Sequence, residues 1–403
     1  MKLVSQILLL IAVVFGLATC KKNTNDIVYN KKYVEQIKAA RKEIVFYLST
    51  NRIPGAGIAV MKDGQLIYSE ALGLASTDLE VPATRETKFR IGDVSEIFTS
   101  FIYLRMVEEG LLHPDSSVQH YLPDFPEKAD KISLNDLVYQ MSGLRDPNME
   151  EVDWLGLNIT LQKGLEQFKN DPLTTIPGLY QTPSMYHYNL LGAVMEKATN
   201  KRFNQIFKEY VTDTLQLTRT VVDNPFITIK ERSNFFDRNF ISQMVNATTR
   251  DLRYRAPAQG ILSNAEDLVK LGDAILHSNL LSAETKAKMF EPIPLLDSIP
   301  STVSNAWVIL SDLYGQPIYG KVGKVTGGSA AILMYPNLNL VVACVTNLNT
   351  GIEEPPVFEL AQPFVPEQNE EDTPNEELGV NYCSGNSMAN RFISNSGYYL
   401  LYW

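Results

Sequence analysis

Cysteine is scarce in this chain, with three in 403 residues, and that excludes a disulfide framework as the main source of stability. Histidine is nearly as scarce. His113, His120, His187 and His277 stand at no metal-ligand spacing, so no metal site and no cofactor are expected. Only His187 falls near a segment that bears on function, and a surface or packing role is the expectation for it. Positive charge is also short: 36 Lys and Arg face 46 Asp and Glu, a formal net charge of -10. This argues against nucleic acid, whose binding rests on cations neutralising phosphates. Small molecules, glycans, peptides or proteins fit better as partners. No internal repeat is present.

Long apolar runs are missing too, except at the start. Lys2 precedes a continuous apolar stretch from Leu8 to Leu17, followed by Leu17-Ala18-Thr19-Cys20. The stretch is shorter than the ~20 apolar residues of a membrane-spanning helix and has the form of an export signal. Its end resembles a bacterial lipobox, which implies lipidation of Cys20 and a protein exported and lipid-anchored to the bacterial cell envelope, on the periplasmic or outer-membrane face. Thr19 departs from the usual small residue there, and a plain secretory signal with a coincidental cysteine is the alternative. Cys344 sits in an apolar run and reads as a small buried hydrophobe; Cys383 lies in the tail.

The rest has the composition of a folded chain, 45% hydrophobic and 20% charged. Helical periodicity over 31–50 precedes two β-rich runs around Lys62-Asp63-Gly64, where the Asp-Gly pair signals a hairpin. Helices joined by Pro- and Gly-containing loops are expected from about 93 to 260, and strands return over 302–349. The sheet is therefore built from both ends of the chain, residues 21–90 and 265–352, with a helical domain of 91–264 between them. From 353 to 403 the chain is acidic and rich in proline, which favours a solvated, loosely ordered tail. Its aromatic end, "SGYYLLYW", does not fit that description; a docking segment, an edge strand and a misread reading frame are all open.

Six stretches, in order, carry a resemblance: "KFRIGDVSEIFTS", "LHPDSSVQHYLPDFP", "ISLNDLVYQMSGL", "YNLLGAVMEKATNKRF", "GILSNAEDLVKLGDAIL" and "GKVGKVTGGSAAILMYPN". Together they resemble the serine β-lactamase and penicillin-binding family, in particular the branch of class C β-lactamases, D-alanyl-D-alanine carboxypeptidases and related esterases. The resemblance implies an α+β fold of the β-lactamase/transpeptidase type, an antiparallel sheet flanked by helices with a mostly helical inserted domain. It also implies a cleft carrying three motifs. The first, Ser-x-x-Lys, supplies a nucleophile and a group that takes its proton. Asp93 and Glu96 occupy those two positions here. Ser95 cannot substitute simply, because two residues along a helix turn its hydroxyl about 200° away. The second motif, Tyr-x-Asn, falls on Pro183-Ser184-Met185, which leaves Tyr186 as a displaced candidate phenol or a packing residue. The third matches as Lys321-Val322-Gly323, with the glycine allowing a ligand close to the backbone.

Replacing Ser and Lys by two acids shifts the charge at those positions by about -2 at neutral pH, and Lys321 is expected to pair with Asp93. In its own right "DVSE" reads as a capped helix start: Asp is a strong N-cap and an acid three positions on completes a capping box. Behind it Val94, Ile97, Phe98, Phe101 and Leu104 form a helical stripe, with Gly110 as a stop. An acid-base or metal-binding carboxylate pair is the other reading, without a histidine to complete a ligand set. Three functions stay open. The leading one is a catalytically inactive, lipid-anchored homologue that binds a ligand or protein, with Asp93, Glu96, Tyr186, Lys321 and Gly323 as candidate contacts. The second is a hydrolase (esterase, peptidase or β-lactamase-like) with a rearranged site. The third is an interaction protein whose partner surface lies outside the cleft, for instance on the tail.

Overall fold

The computed structural model describes residues 27–366, apart from 153, 157–159, 297–299 and 313–314. The export-signal reading, Cys20, Cys383 and the aromatic end lie outside the described residues.

The first long helix, α1 (Val34–Thr50), turns Ile37, Ala40, Ile44 and Tyr47 inward at helical spacing. β2 (Gly55–Lys62) and β3 (Gln65–Ser76) form the expected hairpin. Asp63 and Gly64, both at positive φ, make its turn. The large sheet is antiparallel, in the order β1-β3-β2-β14-β13-β12-β11-β10, with β4 (Val81–Pro82) beside β3. Its other strands are β1 (Val28–Tyr29), β10 (Val303–Ser304), β11 (Trp307–Ser311), β12 (Pro317–Val325), β13 (Gly328–Tyr335) and β14 (Leu340–Thr346). β2 pairs with β14, Ala56 opposite Thr346 and Lys62 opposite Leu340, and this joins the two ends of the chain.

Strand alternation sorts β13 and β14 into two cores. Ala331, Leu333, Leu340, Val342 and Cys344 face α1. Ala330, Ile332, Val341, Ala343 and Val345 face the opposite, larger core shared with the helical layer. Cys344 is a free, fully buried thiol, as its apolar setting suggested.

The helical layer centres on α2 (Ser95–Glu108) and α3 (Met185–Thr199), and α4 (Ala265–His277) follows it. α2 is more enclosed than its stripe implied: Thr99, Ser100, Ile102, Tyr103 and Met106 are buried along with it, and only Arg105, Val107 and Glu108 near its C-terminal end reach the surface. Gly110, at positive φ, stands just past its end. Two short pairings hold the layer to the rest. β5 (Phe89–Arg90), β9 (Ile261–Ser263) and β6 (Val221–Val222) make a three-stranded sheet, and β7 (Phe236–Arg238) with β8 (Met244–Asn246) make a hairpin.

The expected tail boundary at 353 is corrected. Residues Val357–Ala361 form a helix, α5, followed by a turn at Gln362–Phe364. Val357, Leu360, Ala361 and Phe364 are buried in the α1-side core. Acidic and proline-rich composition did not decide the outcome there; four apolar residues at helical spacing did.

Candidate active-site cleft

β12 runs directly against the turn that opens α2. A Cβ on Gly323 would collide with the backbone of Ile91, Asp93 and Val94, and Gly92, at positive φ, is pressed against Lys324. The glycine of Lys321-Val322-Gly323 thus serves a close approach, but to the chain's own backbone rather than to a ligand as expected. This contact brings the first and third motifs together.

The capping-box reading of "DVSE" fails. Gly92–Val94 is a 3-10 turn, the α-helical cap is Val94 and no side chain caps it. Both acids are engaged elsewhere. Asp93 Oδ1 accepts from Gln259 Nε2 at 2.6 Å and Oδ2 from the Lys324 backbone N–H at 3.0 Å. A strand N–H aimed at the nucleophile position is the kind of donor that stabilises the oxyanion of acyl transfer. Here a carboxylate of the protein itself takes it.

Glu96, 2% exposed, points into the protein and accepts from Lys321 Nζ at 2.7 Å and from Gln140 Nε2 at 3.3 Å. The expected Asp93–Lys321 pair is therefore replaced by Glu96–Lys321. One turn along the helix from Asp93, Glu96 reaches down to the inward-facing Lys321 of β12, while Asp93 meets the backbone N–H of Lys324, three residues further along the strand. Burial pushes the Glu96 carboxyl up to about 7; Lys321 opposes that shift and the Asp93 charge adds to it. Ser95, as expected, turns elsewhere: its Oγ accepts from the Ile261 N–H at 3.3 Å.

The side chains at the second motif's positions are engaged elsewhere or carry no polar group. Ser184 caps α3, accepting from the Tyr186 N–H, and donates to the Arg145 carbonyl at 2.8 Å. Met185 Sδ lies 3.7 Å from Nη1 of the buried Arg255. Pro183 offers no side-chain donor or acceptor. Tyr186 is fully buried, stacked on Phe168 at 4.0 Å with the Arg145 guanidinium 5.6 Å from its ring. Burial and the Glu151 charge raise its phenol well above the ordinary range. It is a packing residue and does not join the acids. His187 is buried as well, its Nδ1 2.8 Å from the Ser184 carbonyl, and burial lowers it to about 4.

Four residues enter the site without a sequence signal. Gln140 and Gln259 hold the two acids, Arg255 is a buried cation stabilised in part by the Asp93 charge, and Asp146 stands at the rim. Asp146 is exposed as a residue, yet its carboxyl is crowded by protein; desolvation, then the Asp93 charge, push it up to about 6. The "YQMSGL" stretch marked the neighbourhood of Gln140 but gave it no role. Among the described residues no group of His, Cys, Asp or Glu is arranged to hold a metal ion.

The sequence matches the Beta-lactamase family over residues 31–358. It is 26% identical over 377 residues to the human (Homo sapiens) serine beta-lactamase-like protein LACTB, mitochondrial, covering 70% of this chain and 69% of that protein. A putative D-alanyl-D-alanine carboxypeptidase of Escherichia coli strain K12 is 28% identical over 216 residues, 49% of this chain and 48% of its own. Among solved structures, the octameric penicillin-binding protein homologue from Pyrococcus abyssi superimposes with a TM-score of 0.70 at 19% identity, over 81% of this chain and 76% of that one. A class C beta-lactamase gives 0.69 at 18%, over 84% and 99%. At such identities the structural likeness speaks for the fold alone. With most of its length matched to one family, and its sheet and helical layer shared with that family's fold, the chain belongs to the beta-lactamase family.

Proposed function

We propose that this chain is a non-acylating member of its family, lipid-anchored at Cys20 to the bacterial cell envelope, whose cleft binds a ligand or a protein without cleaving it. One observation carries the reading: the Asp93 carboxylate fills the nucleophile position and takes the Lys324 N–H, while Glu96 holds Lys321. Nucleophile, proton acceptor and oxyanion donor are each replaced or occupied. A carboxylate-bearing ligand also loses Lys321 as a free partner. Purified protein treated with a fluorescent penicillin, a fluorophosphonate and chromogenic esters is expected to show no labelling or turnover above an Asp93→Ala/Glu96→Gln/Lys321→Met control. Covalent labelling above that control overturns the reading.

The envelope anchor has its own test. Radiolabelled palmitate should enter the wild-type chain in a bacterial host and not the Cys20→Ala variant; equal labelling of both refutes it.

A second reading, a hydrolase with a rearranged site, draws support from Glu96, whose carboxyl at about 7 is well placed for general acid or base work near neutrality. It requires ester turnover that Glu96→Gln abolishes.

A further inference from the structure

The charge of the chain is unevenly spread. Residues 21–50 hold seven Lys or Arg against three Asp or Glu, so the other residues hold 29 against 43. The structure places most of those cations on one surface, the outer face of α1 and the turn before it. Lys38 is paired with Glu35 at 2.7 Å and Arg41 with Glu70 at 2.8 Å. Lys31, Lys32 and Lys42 are exposed there, with Glu43 half-buried beside them.

Large apolar side chains are exposed at both ends of the same helix. Ile27 and Tyr29 (56% exposed) stand before its start, and Val45 and Phe46 (65%) in its last turns. Beyond its end, Arg238 ties the β7–β8 hairpin to the Asn51 carbonyl and, at 2.7 Å, to the Gly351 carbonyl. That hairpin carries Phe240, 97% exposed, next to Ile241. Isolated exposed hydrophobes are ordinary. Aromatic residues set at the ends of a lysine-bearing helix are the composition of a surface that meets lipid headgroups, where lysine stems and rings sink in while ammonium groups stay at the phosphates.

We propose that this α1 face rests on an anionic lipid bilayer. The proposal builds on the lipid-anchored reading, and the length of chain outside the described residues supports the choice of occupant. Residues 21–26 between Cys20 and Ile27 span at most about 25 Å, so an anchored Cys20 holds the surface beginning at Ile27 close to the headgroups. One acyl anchor with a basic patch is a two-signal attachment, stronger than either alone. A protein partner would require a contiguous apolar centre with a polar rim; here the apolar side chains are spaced along the helix.

The test uses the full chain with Cys20→Ser, which removes acylation, and reporters Phe46→Trp and Phe240→Trp compared with the parent. Vesicles of phosphatidylcholine alone are set against vesicles containing phosphatidylglycerol, each with lipids brominated on their acyl chains. The readout is emission at the two sites rather than sedimentation, so that insertion of the apolar run Leu8–Leu17 into either kind of vesicle does not count as docking of the α1 face. We expect a blue shift and quenching at both reporters only with phosphatidylglycerol. Quenching should weaken at least tenfold in 0.5 M salt and in Lys31→Glu/Lys32→Glu/Lys42→Glu. Unquenched reporters on vesicle-bound protein, or quenching indifferent to phosphatidylglycerol and to salt, overturn the proposal, and the salt series keeps this decisive if the triple variant folds poorly. Failure of palmitate labelling at Cys20 would sink the anchored reading while leaving these measurements to stand or fall by themselves.

Discussion

Two residues at positions of the family's first and third motifs meet as a buried ion pair. Glu96 and Lys321 are 2.7 Å apart and almost fully buried, and a buried ion pair is not automatically stabilising. The direction here is unfavourable to the charge, since the Glu96 carboxyl rises from 4.5 to about 7. Below 4.5 it is protonated whether the chain is folded or not. Between 4.5 and about 7 the unfolded chain releases this proton and the folded one keeps it, so stability falls as pH rises through that window. Glutamine imitates the protonated form. Glu96→Gln is therefore expected to leave the urea midpoint unchanged near pH 4.5 and to raise stability at pH 8, by up to about 3 kcal/mol; a destabilised variant at pH 8 contradicts this. Lys321→Met works in the other direction, because it leaves a buried carboxylate without its cation. Its cost at pH 8 should be about 3–5 kcal/mol, shrinking on acidification as Glu96 takes up a proton.

At the scale of elements, the cleft depends on how closely β12 lies on the turn at Gly92–Val94. Gly323→Ala has no space for its methyl group against Ile91, Asp93 and Val94. The strand must move away, stretching the Lys324 N–H to Asp93 and Lys321 to Glu96 bonds together. A fall in melting temperature of about 4 °C or more is expected, given a loss of at least ~3 kcal/mol; an unchanged melting curve would mean that this register is wrong. α5 is the second element to test. A chain ending at residue 352 loses Val357, Leu360, Ala361 and Phe364 from the α1-side core. It should melt well below a chain ending at 366, since the Val357, Leu360 and Phe364 side chains each contribute about 2 kcal/mol. Equal melting temperatures would return α5 to the status of a tail.

Across the whole molecule, acylation needs groups from three distant segments, around 93–96, 183–185 and 321–324, and each departs from the family pattern or is already engaged. Restoring one segment does not rebuild the set. Asp93→Ser with Glu96→Lys is expected to remain unlabelled by fluorescent penicillin, because Pro183 and Met185 supply neither phenol nor amide. It should also melt lower than the wild type, since the new lysine would face Lys321 in a buried site with no anion between them. Robust acylation would show that the second motif is dispensable here.

The local pattern of the chain was enough to specify its hairpin at Asp63-Gly64, the helix of residues 34–50, the buried thiol of Cys344 and a sheet drawn from both ends. Each rests on periodicity or on the φ that one residue tolerates, and these act over a few neighbours. The ordered motifs also placed Asp93, Glu96 and Lys321 in one cleft. Which acid meets Lys321, what satisfies the other, and where Gln140, Gln259, Asp146 and Arg255 stand depend on side-chain directions across elements more than forty residues apart. Helix-cap chemistry read from "DVSE" was a sound local reading that lost to a longer-range one. A buried ion pair and a strand N–H gave the two acids better partners than the first turn of their own helix, and only the tertiary structure brings those partners within reach.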